Sequence, residues 1–160
     1  MSCTEFNLDD LLAIVAVPVT DYSPSAQNWL LRPTIPNTSF SPSLTNAISI
    51  GLQPAVTGGK LIPMIRKSGK AKDSESDSVA GRKHSVTVSC EADDRDSETW
   101  NYIYNLERTP SHLILTFRNG ARAFVMASED TYMCEVSREN ADTSLEFKIE
   151  SLMGIQLITT

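Results

Sequence analysis

Basic charge is in short supply in this chain: 14 Lys and Arg stand against 20 Asp and Glu, a formal net charge of −6 at pH 7. Non-specific affinity for nucleic acid comes from neutralising phosphates with Lys and Arg, so this balance excludes broad adhesion to DNA or RNA, and no sequence-specific nucleic-acid partner is expected. Cysteine is scarce and odd in number. Cys3, Cys90 and Cys134 are widely spaced, form no CxxC and have no histidine at a metal-ligand interval, which excludes a disulfide framework and a zinc site and implies a reducing compartment. Cys90 and Cys134 fall in alternating apolar patterns, where a free Cys behaves as a small buried hydrophobe; Cys3 is simply near a terminus.

Long apolar runs are also missing. The one candidate, "LLAIVAVPV" from Leu11 to Val19, follows Glu5, Asp9 and Asp10 and is far short of the roughly 20 residues of a spanning helix. It reads as a buried strand, with no membrane partner and the cytoplasm as the default location. Histidine is limited to His84 and His112, each beside or within an alternating strand and without a nucleophile motif around it. No catalytic residue, cofactor site or metal site is therefore expected, and the chain reads as no enzyme; a pocket that set either histidine close to an acid would revive that reading. The carboxylates Glu91, Asp93, Asp94, Asp96 and Glu98 sit at a strand-to-helix junction, where capping and solvation explain them. "DDRDSETW" lacks the glycine and terminal glutamate of a calcium loop.

What is present suits one domain over residues 1–160, since a chain that is 41% hydrophobic and 21% charged can bury a single core. Residues 1–59 hold Pro18, Pro24, Pro33, Pro36, Pro42 and Pro54, a spacing that forbids long helices and leaves extended segments wrapping or extending a core. Trp29, Leu30, Leu31, Phe40 and Ile48 anchor that part. Residues 60–160 alternate. Val86, Val88 and Cys90 share one face of "HSVTVSC", and Leu145, Phe147 and Ile149 one face of "LEFKIE", the period-two signature of antiparallel strands with one face dry. "KLIPMIRK", "TYMCEVSR" and "GIQLIT" read as further strands, with a polar turn at Glu139–Thr143.

Within "LILTFRNGARAFVM", Asn119-Gly120 predicts a two-residue type I′ hairpin turn pairing Arg118 with Ala121, Leu115 with Phe124 and Leu113 with Met126. One helix is expected at about 96–108. Trp100, Ile103 and Tyr104 would form its sheet-facing stripe, Asp96 or Ser97 its cap, and Pro110 its end. The fold class is thus mainly β, a β-rich α+β chain: an antiparallel β-sandwich or barrel with one flanking helix and a long polar inter-strand loop at about 67–83.

That loop, "KSGKAKDSESDSVAGRK", is basic at both ends and acidic in the middle. A strand follows it, and the GxxxxGK[ST] spacing is absent, so it is no phosphate cradle. Lys67, Lys70 and Lys72 are answered at once by Asp73, Glu75 and Asp77, with no aromatic interleaved for base stacking. Together with Arg82 and Lys83 these residues are the candidate subunit interface, a polar hairpin arm that orders against a neighbouring copy.

The order strand, long polar loop, strand, short helix, Asn-Gly hairpin, then two or three strands resembles the tail-tube fold of phage tails and related injection machines, over about residues 60–160. The resemblance implies a virion structural protein that forms rings, commonly hexameric, stacked into a tube whose acidic lumen would not hold passing DNA. Its partners would be copies of itself and other tail proteins. It also implies that Lys67–Lys83 is the loop reaching onto adjacent subunits and that Trp100–Leu106 lies in the flanking helix. The alternative is a monomeric β-sandwich binding module of an accessory protein, with a concave ligand surface around Trp29 or Trp100.

Overall fold

The computed structural model describes residues 5–19, 34–36, 60–65, 67–78, 81–92, 97–117, 121–139, 142–151 and 153–159. Their strands are β1 (Glu5–Pro18), β2 (Thr34–Pro36), β3 (Lys60–Leu61), β4 (Gly69–Ser78), β5 (Gly81–Ala92), β6 (Ser111–Phe117), β7 (Arg122–Val125), β8 (Tyr132–Glu139), β9 (Asp142–Ser151) and β10 (Ile155–Thr159). The one helix among the described residues, α1 (Ser97–Asn105), sits between β5 and β6. The strands form one sheet in the order β2-β10-β7-β6-β1-β4-β5-β9-β8, with β3 beside β1. Every pairing is antiparallel except β10 with β2. Because the order ends at β2 and β8, the described sheet is open and not a closed barrel. The mainly β architecture with one flanking helix is the one the alternation announces.

β1 divides the sheet into two halves. Glu5 to Leu11 pairs with β4, whereas Leu11 to Pro18 pairs with β6, and Val15 and Ala16 also meet β3. The register slips on both sides of Leu11. Strict alternation would send Leu11 and Ile14 to opposite faces, yet both are buried in the main core. A bulge supplies the missing residue and bends the strand. The halves then share one inner face, on which Val86, Val88, Leu115, Val125, Leu145 and Phe147 meet. In β6, β7 and the second part of β1 the outer face is buried too: Val15, Val17, Ile114, Phe124 and Ile158 form a second cluster with Leu61 and Met126 packed on it. The half β4-β5-β9-β8 keeps the expected wet outer face.

This double burial shifts the hairpin register. Leu113 pairs with Val125, Ile114 with Phe124 and Leu115 with Ala123, and Phe117 N–H donates to Ala121 O at 2.9 Å. The connection therefore has three residues, 118–120, and the predicted two-residue turn is off by one; Asn119 and Gly120 themselves lie outside the described residues. Where both faces of a strand are apolar, a one-residue slip exposes nothing, so the apolar pattern does not fix the register.

Three further expectations are corrected. Lys67–Lys83 is not a loop: Gly69–Ser78 is strand, hydrogen-bonded to β5 along its length and to β1 as far as Ser74. "KLIPMIRK" yields only Lys60–Leu61 and a bridge from Met64 to Ala92, because Pro63 has no N–H to donate to a ladder. The helix turns a different face inward. Ile103 and Leu106 are buried with Tyr102 packed beside them, while Tyr104 is 48% exposed. The helix and its trailing turn lie along β8, the last strand of the sheet. The Glu107 carboxylate accepts the Val136 N–H at 2.8 Å, and the Tyr132 hydroxyl donates to Leu106 O at 2.6 Å. An edge strand is thereby covered. Asp93, Asp94 and Asp96, and the anchors Trp29, Leu30, Leu31, Phe40 and Ile48, lie outside the described residues. No helix among the described residues is long and apolar enough to cross a membrane.

The bend in β1 needs a residue without a side chain opposite Leu11. A Cβ on Gly69 would stand 3.0 Å from Leu11 Cβ and 2.7 Å from Met64 Sδ. The thioether can swing away; a backbone-fixed Cβ cannot. Gly69→Ala is expected to cost about 1–3 kcal/mol, seen as a lower urea midpoint with an unchanged slope, and full retention of stability would show that the junction is not tight.

Candidate functional site

Among the described residues, the hairpin β4/β5 extends past the strands beside it. On one side the last described β1 pair is Glu5 with Ser74, and on the other the β9 ladder ends where Ser151 meets His84. Beyond those rungs, among the described residues, Ser76 pairs only with Lys83, Asp77 only with Arg82, and Ser78 only with Gly81. At about 3.3 Å per residue, three unflanked rungs make an arm of about 10 Å. The candidate interface residues therefore divide. Arg82 and Lys83 with Asp77 lie on the arm, and Glu75 lies at its base opposite His84. Lys83 Nζ stands 2.8 Å from Glu150 Oε2, each side chain about half exposed.

Lys70, Lys72 and Asp73 belong to the body of the sheet, with Lys70 and Lys72 exposed on its outer face. Lys67 is exposed in the turn before β4, in the left-handed region at φ 67°, a conformation that costs a non-glycine residue about 1–2 kcal/mol. Ser68 holds that turn in place. Its hydroxyl donates to Ile65 O at 2.6 Å and accepts Glu91 N–H at 3.0 Å.

Asp73 faces inward, opposite Val86, and its carboxylate is 12% exposed. One oxygen lies 2.9 Å from His84 Nδ1, and the other accepts the Ile155 N–H at 3.0 Å. Gly154 makes room for it: φ is +65°, and a Cβ there would collide with the carboxylate. Ser151 lies opposite His84 in the register, but its hydroxyl accepts the Gly154 N–H at 2.8 Å. One carboxylate thus ties the base of the arm to the turn between β9 and β10. This is the histidine–acid juxtaposition that composition did not reveal. His84 and Asp73 are diagonal neighbours on a hairpin, and the signal becomes readable only once Lys67–Lys83 is taken as two paired strands. His112, by contrast, is buried against Phe124, and its Nδ1 accepts the Ala127 N–H at 2.9 Å.

The outer face of β4-β5-β9-β8 carries a shallow depression of about 240 Å³, bordered by Ser68, Lys70, Glu91, Glu135, Ser137 and Glu146. On α1, the Trp100 and Tyr104 rings lie tilted against each other with centroids 5.7 Å apart, and the Arg138 guanidinium lies 4.7 Å above the indole. No group of three or more His, Cys, Asp or Glu among the described residues could hold a metal ion.

Beneath α1 the core contains Cys90, Cys134, Tyr102 and Tyr132. Burial pushes both thiols up to about 12, and burial also raises both phenols. Thiolate chemistry is therefore suppressed at neutral pH, as a packing role for the two cysteines requires. The unfolded chain loses its thiol protons near the ordinary value of 9.0, so between about pH 9 and 12 it binds fewer protons than the native state and stability falls as pH rises. Each thiol contributes up to about 1.4 kcal/mol per pH unit. We expect the urea midpoint to drop between pH 8.5 and 10.5, with a smaller drop in Cys90→Ala, and both thiols to resist alkylation until the chain unfolds. Prompt labelling of the native protein at neutral pH would contradict this.

No protein-family model matches this chain, and neither a curated protein nor a solved structure is similar to it.

Proposed function

We propose that this chain is a non-enzymatic structural subunit of a phage or prophage tail, tail-tube-like, which assembles with its own copies into rings or tubes through sheet edges and the hairpin arm. The observation that carries the proposal is the arm itself. A two-stranded ribbon is marginally stable in water on its own, and the rungs from Ser76 to Lys83 have no third strand on either side among the described residues. Their sequence is polar throughout, apart from Val79 and Ala80, which lie outside the described residues. Such a ribbon gains most when a neighbour's strand pairs with one of its edges. The β8 edge has its Val136 N–H taken up by Glu107 in the turn after the helix, which makes the arm the more open edge for pairing. A contact between an arm and a different surface of the next copy is heterologous, and heterologous contacts close into rings or run on as filaments.

A second reading, the monomeric β-sandwich binding module, draws on the depression in the polar face. The two part company on the arm. Joining Glu75 to His84 through Asn-Gly removes the projecting rungs and leaves every pair that carries the core. Light scattering after size exclusion, with negative-stain images of the same fractions, is expected to show rings or tubes for the intact chain and none for the shortened one. Particles no larger than a dimer from the intact chain at every concentration would overturn the proposal in favour of the binding module.

A further inference from the structure

The outer face of the half-sheet β4-β5-β9-β8 carries a charge pattern that the described residues do not fully satisfy. The register sets Lys70 beside Ser89, Ser89 beside Glu146, and Glu146 beside Glu135, one row across four strands. Like charges directly opposite each other in an antiparallel pair are destabilising. Lys148 answers Glu146 at 3.5 Å. Among the described residues, Glu135 and Lys70 have no hydrogen-bond or ion-pair partner, and both are exposed. They stand three strand spacings apart, about 14 Å, beyond the combined reach of the two side chains. The neighbouring row runs Lys72, Thr87, Lys148 and Met133, and Met133 is 53% exposed, the largest apolar exposure on this face. The third row is Glu91, Ser144 and Ser137.

We propose that this face is a two-fold contact with a second copy of the chain, in which Lys70 of each copy meets Glu135 of the other. A two-fold axis along the strands, between β5 and β9, exchanges β4 with β8 and β5 with β9 while each row stays on itself. Lys70 then lies over the Glu135–Glu146 pair, Ser89 over Glu146, Thr87 over Lys148, and Glu91 over Ser144. The stem of Lys72 covers Met133. No like charges are set directly opposite each other in these three rows; Lys72 comes within one strand spacing of the other copy's Lys148, which lies beside Met133. An axis across the strands does worse, because it sets Lys70 over Lys72. The serines and threonines between the charges keep the relief low enough for two sheets to approach.

Four strands about 4.8 Å apart and about 20 Å of strand length give about 400 Å² per copy, so about 800 Å² in all, below the area of a stable specific interface and in the range of weak contacts. The dimer is accordingly weak and salt-sensitive. It does not depend on the arm, so it stands or falls separately from the assembly proposed above.

Charge exchange tests it. Sedimentation of the full chain over a wide concentration range is expected to show a reversible dimer as its smallest associated species, below the concentrations at which rings form, and weakened at high salt. Lys70→Glu or Glu135→Lys alone should raise its dissociation constant at least about tenfold, and the double exchange should restore it to within about threefold, because reversed charges meet across the same axis. The chain shortened by joining Glu75 to His84 should form the same dimer, even where rings are lost. A chain monomeric at every concentration once the arm is shortened, single exchanges without effect, or a double exchange that fails to restore the dimer would each overturn the proposal.

Discussion

Everything in this fold hangs on the few residues around Leu11 where one strand serves two half-sheets. β1 must leave β4 and take up β6 without losing its backbone partners, and an extended chain can do so only by giving up strict alternation at one point. The bulge returns both Leu11 and Ile14 to the same core, and Gly69 lets the opposing backbone come close enough to keep the ladder intact at the bend. Without that bend the inner faces of the two halves could not meet, and Val86, Leu115, Val125 and Phe147 would have no common interior.

The bend also decides where polar groups are tolerated on the inner side. At the end of the hairpin distant from the helix the core runs out, and Asp73, Glu75, His84 and Ser151 occupy inward positions where residues nearer the helix are apolar. A half-buried carboxylate there is acceptable because both oxygens are engaged, one by an imidazole and one by a backbone N–H. The same carboxylate fixes the turn that feeds β10 back towards β7. A feature with the composition of a catalytic pair is thus also a mechanical tie at the root of the arm.

How much of this the sequence disclosed depends on whether an element has one wet face. β5 and β9 alternate cleanly because one side is buried and the other solvated, and their inward residues, Val86, Val88, Cys90, Leu145, Phe147 and Ile149, are all buried. β6 and β7 are buried on both sides, so "LILTF" states that a strand exists but not which residue faces which partner. The polar β4 was the hardest to read. Its only inward apolar residue among those described is Ala71, and Lys, Asp, Glu and Ser are poor strand formers whose strand is imposed by β1 and β5 on either side. The helix face is hard to read for a related reason: Trp100 and Tyr104 outweigh Tyr102 and Leu106 in size, but the guanidinium of Arg138 and the solvent accept them at the surface. Of the candidate interface residues, the sequence indicated the segment and its charge; which of them stand on a projecting arm and which in the sheet is a matter of register, set by distant partners in β9, such as Ser151 opposite His84, as well as by β1.

The two halves are therefore unequal in what they can offer a partner. β6, β7 and the second part of β1 bury both faces, leaving little besides strand ends for recognition. The other half has the wet face, the unflanked rungs and the helix-covered edge. Covering that edge has a directional effect: with the Val136 N–H already accepted by Glu107, a further strand adds less readily at β8 than at the arm. The polar face is left as a surface that can be approached only broadside, where main-chain pairing is impossible and side-chain charge sets the geometry. Backbone groups thus govern contacts at the arm and side-chain charges govern contacts on the face, and the two respond to different substitutions because they rest on different forces.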